Sequence, residues 1–312
     1  MIKNLLKLIR WPNLLMVAFS MWLVYEFLLV KLLGNQSVHY GMTTWQLVLL
    51  ILSAITIAAG GYIINDIVDI PADRINKPGK NKVDAGLTIK TAKIWYWIFT
   101  FTGLSIGIFL AFYIHKPFYL LIPVLTAGLL WFYAKDYQCQ PLWGNLVIAI
   151  LSAVSFGLVF LVQLIILDQN GFKVSNPASI LMVLSVSIIY IGFAFFTSWL
   201  REIVKDIEDV KGDEKTGCQT LPVVYGVKAA KITATIINGI ALLGSFSVQW
   251  FFYEKNMFLS FFYFFLIDFI FGWVIVRLQF ATEKKDFHNL STWIKILMLA
   301  GILSMILIPY NF

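Results

Sequence analysis

The sequence is short of charge. Only 13% of its 312 residues are Asp, Glu, Lys or Arg, against about 25% in an ordinary soluble domain. That deficit excludes a water-soluble globule, because there are too few charges to cover its surface. Cysteine and histidine are scarce too, at two and three residues. Cys139 and Cys218 stand alone, with neither metal-ligand spacing nor a disulfide framework. Both fall in segments assigned below to the cytoplasm, where thiols stay reduced, and they read as inert. His39, His115 and His288 are scattered and receive no role. No low-complexity tract is present. No cleavable signal peptide is evident: the apolar run after Arg10 is too long for an h-region, and no small-residue cleavage site follows it.

Apolar residues fill the deficit. The chain is 60% hydrophobic and 16% aromatic, with a mean hydropathy of +0.81. About 20 apolar residues cross a bilayer as a helix. Nine runs meet that length, near 13–33, 45–65, 92–114, 117–134, 144–167, 179–200, 229–252, 257–277 and 292–310. The fold class expected is an all-α polytopic membrane protein with nine transmembrane helices. The third and fourth runs nearly touch, which predicts a tight hairpin at His115-Lys116-Pro117.

The basic residues set the topology. Twenty of the 24 Lys and Arg fall in the N-terminal segment and in every second connection; the other side holds Lys31, Lys116, Lys173 and Lys255. Positive charge stays in the cytoplasm. The N-terminus is therefore expected inside and the C-terminus outside. This uneven distribution of the net charge of +7 fits membrane topology, and no nucleic-acid partner is expected. No protein partner is indicated either.

Two acidic clusters interrupt the apolar pattern. Asp66, Asp69 and Asp73 have the same D-x-x-D-x-x-x-D spacing as Asp206, Asp209 and Asp213, 140 positions later. Residues at i, i+3 and i+7 share one helix face. Six carboxylates gathered at a membrane edge repel one another unless a cation lies among them. As stability devices they are poorly placed, since acids near a helix C-terminus oppose its dipole. Magnesium takes one or two carboxylates and completes its octahedron with phosphate oxygens. The clusters thus suit Mg²⁺ carrying a diphosphate, with Lys77, Lys135, Arg201 and Lys205 as further phosphate contacts. A diphosphate at a membrane edge points to an isoprenoid whose tail lies among the helices. Aromatic faces can stabilise the allylic cation left when the diphosphate departs; Trp95 to Trp97, Trp131 to Tyr133 and Phe193 to Trp199 supply many, and no single ring is singled out.

The motifs close the second and sixth runs, four helices apart. This suggests a weak duplication within one domain spanning 1–312, with units near 13–134 and 144–277 and a ninth helix appended near 292–310. Long connections at 66–91 and 201–228 are expected to be functional loops. Duplicated bundles also occur in transporters, so a transporter of an anionic lipid is an alternative; a structural scaffold is a third, but it gives six aspartates no purpose. Transporter sites lie near the bilayer midplane, whereas these acids lie at its edge. Glu26 and Asp268 fall inside apolar runs, where carboxylates suggest function. Lys31 is one candidate partner for Glu26, and Asp268 has no obvious partner in the sequence.

The chain resembles the UbiA superfamily of intramembrane prenyltransferases. Asn65-Asp66-x-x-Asp69-x-x-x-Asp73-Arg74-x-Asn76-Lys77-Pro78 is similar to that family's first motif. Asp206-x-x-Asp209-x-x-x-Asp213 is similar to its second. Arg10-Trp11-Pro12-Asn13 and Pro141-Leu142-Trp143-Gly144-Asn145 resemble the entries to its first and fifth helices. The resemblance implies nine helices around a central cavity, roofed by cytoplasmic cap loops, with Mg²⁺ as cofactor and a prenyl diphosphate as donor. It implies that Asn65, Asp66, Asp69 and Asp73 form one metal and diphosphate arm and Asp206, Asp209 and Asp213 the other. Asp69, Asp73, Asp206 and Asp209 would be the catalytic core, Lys77 and Lys135 phosphate contacts, and Asn13 a neighbour of the acceptor. Two segments depart from the family pattern: Gly79-Lys80-Asn81-Lys82-Val83-Asp84-Ala85-Gly86 replaces a proline-rich run, and Tyr133 is followed at the lysine position by Tyr137, with Lys135 nearby.

The surroundings of the second motif, Arg201 to Asp209, Gly212-Asp213 and Thr220-Leu221-Pro222, resemble the branch containing geranylgeranylglyceryl phosphate geranylgeranyltransferases. The resemblance implies an ether-lipid product of the digeranylgeranylglyceryl phosphate synthase type. Its alternative is aromatic prenylation in quinone biosynthesis, with 4-hydroxybenzoate or dihydroxynaphthoate as acceptor. The partners implied are a prenyl diphosphate, a lipophilic acceptor and membrane lipids.

Overall fold

The computed structural model describes residues 2–33, 40–79, 81, 83, 87–171 and 177–310. His39, Lys80, Lys82, Asp84, Ala85, Gly86 and Lys173, all named above, lie outside them. Every regular element among the described residues is helical. Among the described residues, nine helices are long and apolar enough to cross a membrane, as the nine apolar runs require. In chain order the elements are α1 (Ile2–Leu8), α2 (Trp11–Leu33), α3 (Thr44–Val68), α4 (Ile70–Asn76), α5 (Ile89–Tyr113), α6 (Pro117–Lys135), α7 (Trp143–Gln169), α8 (Pro177–Thr216), α9 (Leu221–Glu254), α10 (Phe258–Phe280) and α11 (Lys284–Ser304). The hairpin between α5 and α6 turns at His115, which has a positive φ of 50°.

The chain forms two compact units. The first comprises Met1–Trp22, Met42–Val147 and Lys211–Gln219. Helix α3 starts from a reciprocal cap: Gln46 N–H donates to Thr43 Oγ1 at 3.3 Å, and Thr43 N–H donates to Gln46 Oε1 at 2.7 Å. Along α3 and α5 the interhelical contact includes Ser53 Oγ–H donating to the Gly103 carbonyl at 2.8 Å. Small and hydroxyl residues suit such a seam, because apolar lipid leaves packing and hydrogen bonds to hold helices together. At the end of α3 and the start of α4, Ile63, Ile64 and Ile70 bury into a cluster with Leu8, Val83, Ala92, Tyr96 and Ala134. That cluster fixes the backbone on which the first aspartate motif sits.

The second unit comprises Leu23–Gly41, Ile148–Val210 and Thr220–Phe312. Its helices are tied by interhelical bonds: Tyr190 Oη with Ser304 Oγ at 2.7 Å, Asn238 Nδ2 to the Phe271 carbonyl at 2.9 Å, and Tyr263 Oη to the Ala300 carbonyl at 2.8 Å. Burying these polar groups in pairs avoids the cost of unmatched ones in hydrocarbon.

Three expectations are corrected. Neither expected connection is a loop throughout: within 66–91, α3 runs to Val68, α4 spans Ile70–Asn76 and α5 begins at Ile89, and within 201–228, α8 runs unbroken to Thr216 and α9 starts at Leu221, with a break at Gly226 (φ 84°). Hydropathy falls where a helix leaves the membrane, but a charged sequence without proline continues the backbone ladder. Lys31 does not pair with Glu26. Its ammonium lies over the Phe27 ring at 4.3 Å and 5.6 Å from the Tyr310 ring, contacts that satisfy a cation among apolar groups. Glu26 itself sits in a π-helical turn, Val24–Val30. The third correction concerns the cysteines: Cys139 and Cys218 are joined in a disulfide with their Cα atoms 4.5 Å apart. Helix α8 ends in a turn that brings them together. Gly217 N–H donates to the Glu214 carbonyl, and Cys218 N–H to the Asp213 carbonyl. This is a Schellman ending with Gly217 left-handed at φ 79°. Gln219 N–H then donates to the Cys139 carbonyl at 3.0 Å.

Candidate active site

In the first unit, Asp66 and Asp69 close α3 and Asp73 lies in α4. The backbone bends little between them: Asp69 N–H donates to the Asn65 carbonyl and Asp73 N–H to the Asp69 carbonyl, both at 2.8 Å. The motif therefore remains on a nearly continuous helix, as its spacing predicts. Each carboxylate has a protein donor. Arg10 Nη2 reaches Asp66 Oδ1 at 2.6 Å. Asn65 Nδ2 donates to Asp69 Oδ2. Asn81 Nδ2 donates to Asp73 Oδ2 at 2.8 Å and to the Asp66 carbonyl at 3.1 Å. Asp66 is buried. Arg10 also lies over the Tyr62 ring, 5.0 Å from its centroid. Burial works against the Arg10 charge, but attraction to Asp66 and their hydrogen bond, with smaller contributions from Tyr62 and Asp69, more than offset it, so the guanidinium titrates above its usual range.

The tail of the first motif touches the second. Asn76 Oδ1 accepts from the Gly212 N–H at 2.9 Å, one residue before Asp213. Lys77 caps α4, its N–H donating to the Asp73 carbonyl at 2.7 Å. Lys135 ends α6 with its ammonium over the Trp131 ring at 4.4 Å. Asn13 is half-buried near the start of α2.

The second unit holds the rest of the second motif on α8. Glu202, nearly buried, takes Arg201 Nη1 at 2.7 Å and Lys205 Nζ at 3.1 Å. Two residues of α11 meet the motif: His288 Nδ1 lies 3.0 Å from Glu208 Oε1, and Lys284 Nζ lies 3.6 Å from Asp209 Oδ1. Asp206 shares this stretch of α8.

Sequence reading missed Arg10 and Asn81 as partners of the first motif, and Lys284 and His288 as partners of the second. Asn81 had one signal, its place in the segment that departs from the family pattern. His288 and Lys284 had none, because nothing in their spacing marks them.

Among the described residues, no three His, Cys, Asp or Glu side chains form a ready-made metal cage. The donor set nonetheless suits magnesium. Its oxygens are hard, and this ion needs only one or two carboxylates when phosphate oxygens supply the remainder.

The profile of the UbiA prenyltransferase family matches residues 20–299. The chain belongs to that family. Membership makes it a multi-pass membrane protein of a prenyl-transferring family and sets aside the transporter and scaffold readings. Among UbiA relatives, a digeranylgeranylglyceryl phosphate synthase of Sulfurisphaera tokodaii is 31% identical over 245 residues, 78% of each chain. One of Sulfolobus acidocaldarius is 33% identical over 254 residues, 78% of this chain and 77% of that one. A structure reported for digeranylgeranylglyceryl phosphate synthase in membranes superposes with a TM-score of 0.65 at 26% identity, covering 98% of this chain and 97% of that one. A UbiA homologue from Archaeoglobus fulgidus bound to GPP and Mg²⁺ shares the fold, with a TM-score of 0.55 at 18% identity over 97% and 99% of the chains.

Proposed function

We propose that this protein transfers a geranylgeranyl group from its diphosphate to the free hydroxyl of geranylgeranylglyceryl phosphate, in a Mg²⁺-dependent reaction. The observation that carries the acceptor is the likeness to digeranylgeranylglyceryl phosphate synthases, at 31% and 33% identity over 78% of this chain. The Archaeoglobus homologue's GPP and Mg²⁺ support the donor class and the ion. In the reaction the bond from the donor's C1 to the diphosphate oxygen breaks, the acceptor oxygen bonds to C1, and the hydroxyl proton is lost.

Bound Mg²⁺ would supply charge stabilisation to the departing diphosphate. The chain's own residues would do the rest. Asn65, Asp66, Asp69 and Asp73 would hold the ion on one arm, and Asp206, Asp209 and Asp213 on the other. Lys77, Lys135, Arg201 and Lys205 would orient the phosphate oxygens, and Asn13 would lie near the acceptor. Arg10 would set the orientation of Asp66 and Asn81 that of Asp73. The connections between α4 and α5 and between α8 and α9 would exclude water until the acceptor captures the prenyl group. The equal motif spacing supports a single domain built from repeats near 13–134 and 144–277. The Lys and Arg distribution supports an orientation with both motifs and the N-terminus in the cytoplasm and the C-terminus outside.

The test is an assay of detergent-purified protein with Mg²⁺ and radiolabelled geranylgeranyl diphosphate. Geranylgeranylglyceryl phosphate, 4-hydroxybenzoate and 1,4-dihydroxy-2-naphthoate are offered in parallel. A Mg²⁺-dependent ether lipid is the expected product. A labelled aromatic product instead would keep the prenyl transfer and overturn the acceptor. No product with any of the three would sink the proposal.

A further inference from the structure

We propose that Lys284, on the first turn of the ninth membrane helix, is a relay cation of the second aspartate motif: it neutralises Asp209 before the metal arrives and moves to a diphosphate oxygen afterwards. The inference rests on the assignment of Asp209 to the metal arm made above, and adds to it a residue that no motif contains.

The corner carrying Lys284 is built rather than incidental. Lys231 Nζ donates to the Gln279 and Ala281 carbonyls at 2.8 and 3.0 Å, tying down the end of α10. Thr282 N–H and Glu283 N–H both donate to Asp286 Oδ2 at 3.0 Å, fixing the first turn of α11. Lys284 and His288 are four residues apart and so share one helix face. His288 grips Glu208, whose side chain is only 8% exposed, and this contact holds the α11 face against α8. Lys284 is thereby delivered to Asp209.

The Lys284 contact is of a different kind from the others. At 3.6 Å it is longer than a charge-assisted hydrogen bond, and the lysine side chain is 42% exposed. It is a Coulombic contact on a flexible stem, loose enough to exchange. A divalent ion on Asp209 would place like charges beside each other, which expels the ammonium. The diphosphate arriving with the metal offers the nearest compensating anion. Lys284 thus competes with the metal for Asp209 but cooperates with it for the phosphate.

That competition predicts shifts of opposite sign. Free Mn²⁺ binding is counted by the loss of its EPR signal, and inorganic pyrophosphate binding in the presence of Mg²⁺ by calorimetry. Wild type, Lys284→Ala, Lys284→Gln, Lys284→Arg and Asp209→Ala are compared in the same detergent, after confirming equal unfolding temperatures. Lys284→Ala and Lys284→Gln are expected to bind Mn²⁺ more tightly and pyrophosphate more weakly, each by up to about fivefold, the range of a partly exposed ion pair. Lys284→Arg should restore both values toward wild type, and the KM for the donor should rise in the neutral variants with less change in kcat. Shifts of the same sign, or none, overturn the relay. A wild-type protein that binds neither probe, or an Asp209→Ala variant that binds Mn²⁺ as wild type does, overturns the metal assignment and the relay with it.

Discussion

Asn76 accepts a hydrogen bond from the backbone N–H of Gly212 at 2.9 Å, joining the tail of the first aspartate motif to the second. A Cβ at position 212 would fall inside van der Waals contact with the Asn76 amide, so the bond requires glycine there. Asn76→Ala and Gly212→Ala should each cost about 1 kcal/mol, the worth of one such bond. Turnover is expected to fall more than the unfolding temperature, because the bond sits between the motifs and away from the bulk of the core. Equal turnover in both variants would detach this contact from function.

Asp69→Ala and Asp209→Ala are expected to abolish Mg²⁺-dependent turnover while the protein still folds in detergent. Asp69 is held by an asparagine amide and Asp209 by a partly exposed lysine, so neither removal strands a buried charge. Near-normal rates in both variants would refute the metal arms.

Asp66→Ala should behave differently. It strands the Arg10 guanidinium, whose side chain is 28% exposed beside an Asp66 that is 4% exposed. Breaking a buried pair from one side costs about 3 kcal/mol. A drop in unfolding temperature is therefore expected together with lost activity, and Arg10→Ala combined with Asp66→Ala should recover part of the stability. A double variant no more stable than Asp66→Ala would show that the pair is not what holds this end of α3.

The disulfide joins residues 79 positions apart, and closing so long a loop in the unfolded chain contributes about 2–4 kcal/mol. Reduction, or Cys218→Ser, is expected to lower the unfolding temperature and to free the end of α8 for proteolysis near Gly217. Maleimide counting on unreduced protein should find no thiol. Two reactive thiols per chain in freshly isolated membranes would show that the bond is not formed in place.

Asp268 is buried in α10 beside Ser245, and neither carboxylate oxygen has a well-formed hydrogen bond among the described residues. A buried carboxylate with so little compensation is destabilising when charged. Asp268→Asn is expected to leave the unfolding temperature unchanged or to raise it. A loss of several degrees would mean that the carboxylate holds a bound proton donor or ion.

Much of this fold was legible in the sequence because a bilayer makes hydropathy speak for whole helices. The nine apolar runs fall on nine helices among the described residues, and the turn at His115 falls between the third and fourth. The first motif lies on a nearly continuous helix as its spacing demands. What failed was local and polar. The charge of segment 201–228 marks the end of the membrane, not the end of the helix. No short spacing links Cys139 and Cys218, so their pairing leaves no mark in the sequence.

The sequence by itself determined the spans, the family and the carboxylates, since each is written in periodicity or in a short motif. Only the tertiary structure decided which groups hold those carboxylates. Arg10 reaches Asp66 from 56 positions away, and His288 reaches Glu208 from 80. Such pairings depend on how helices distant in sequence pack together, and a lone arginine, asparagine or histidine carries no mark of the partner that packing will give it.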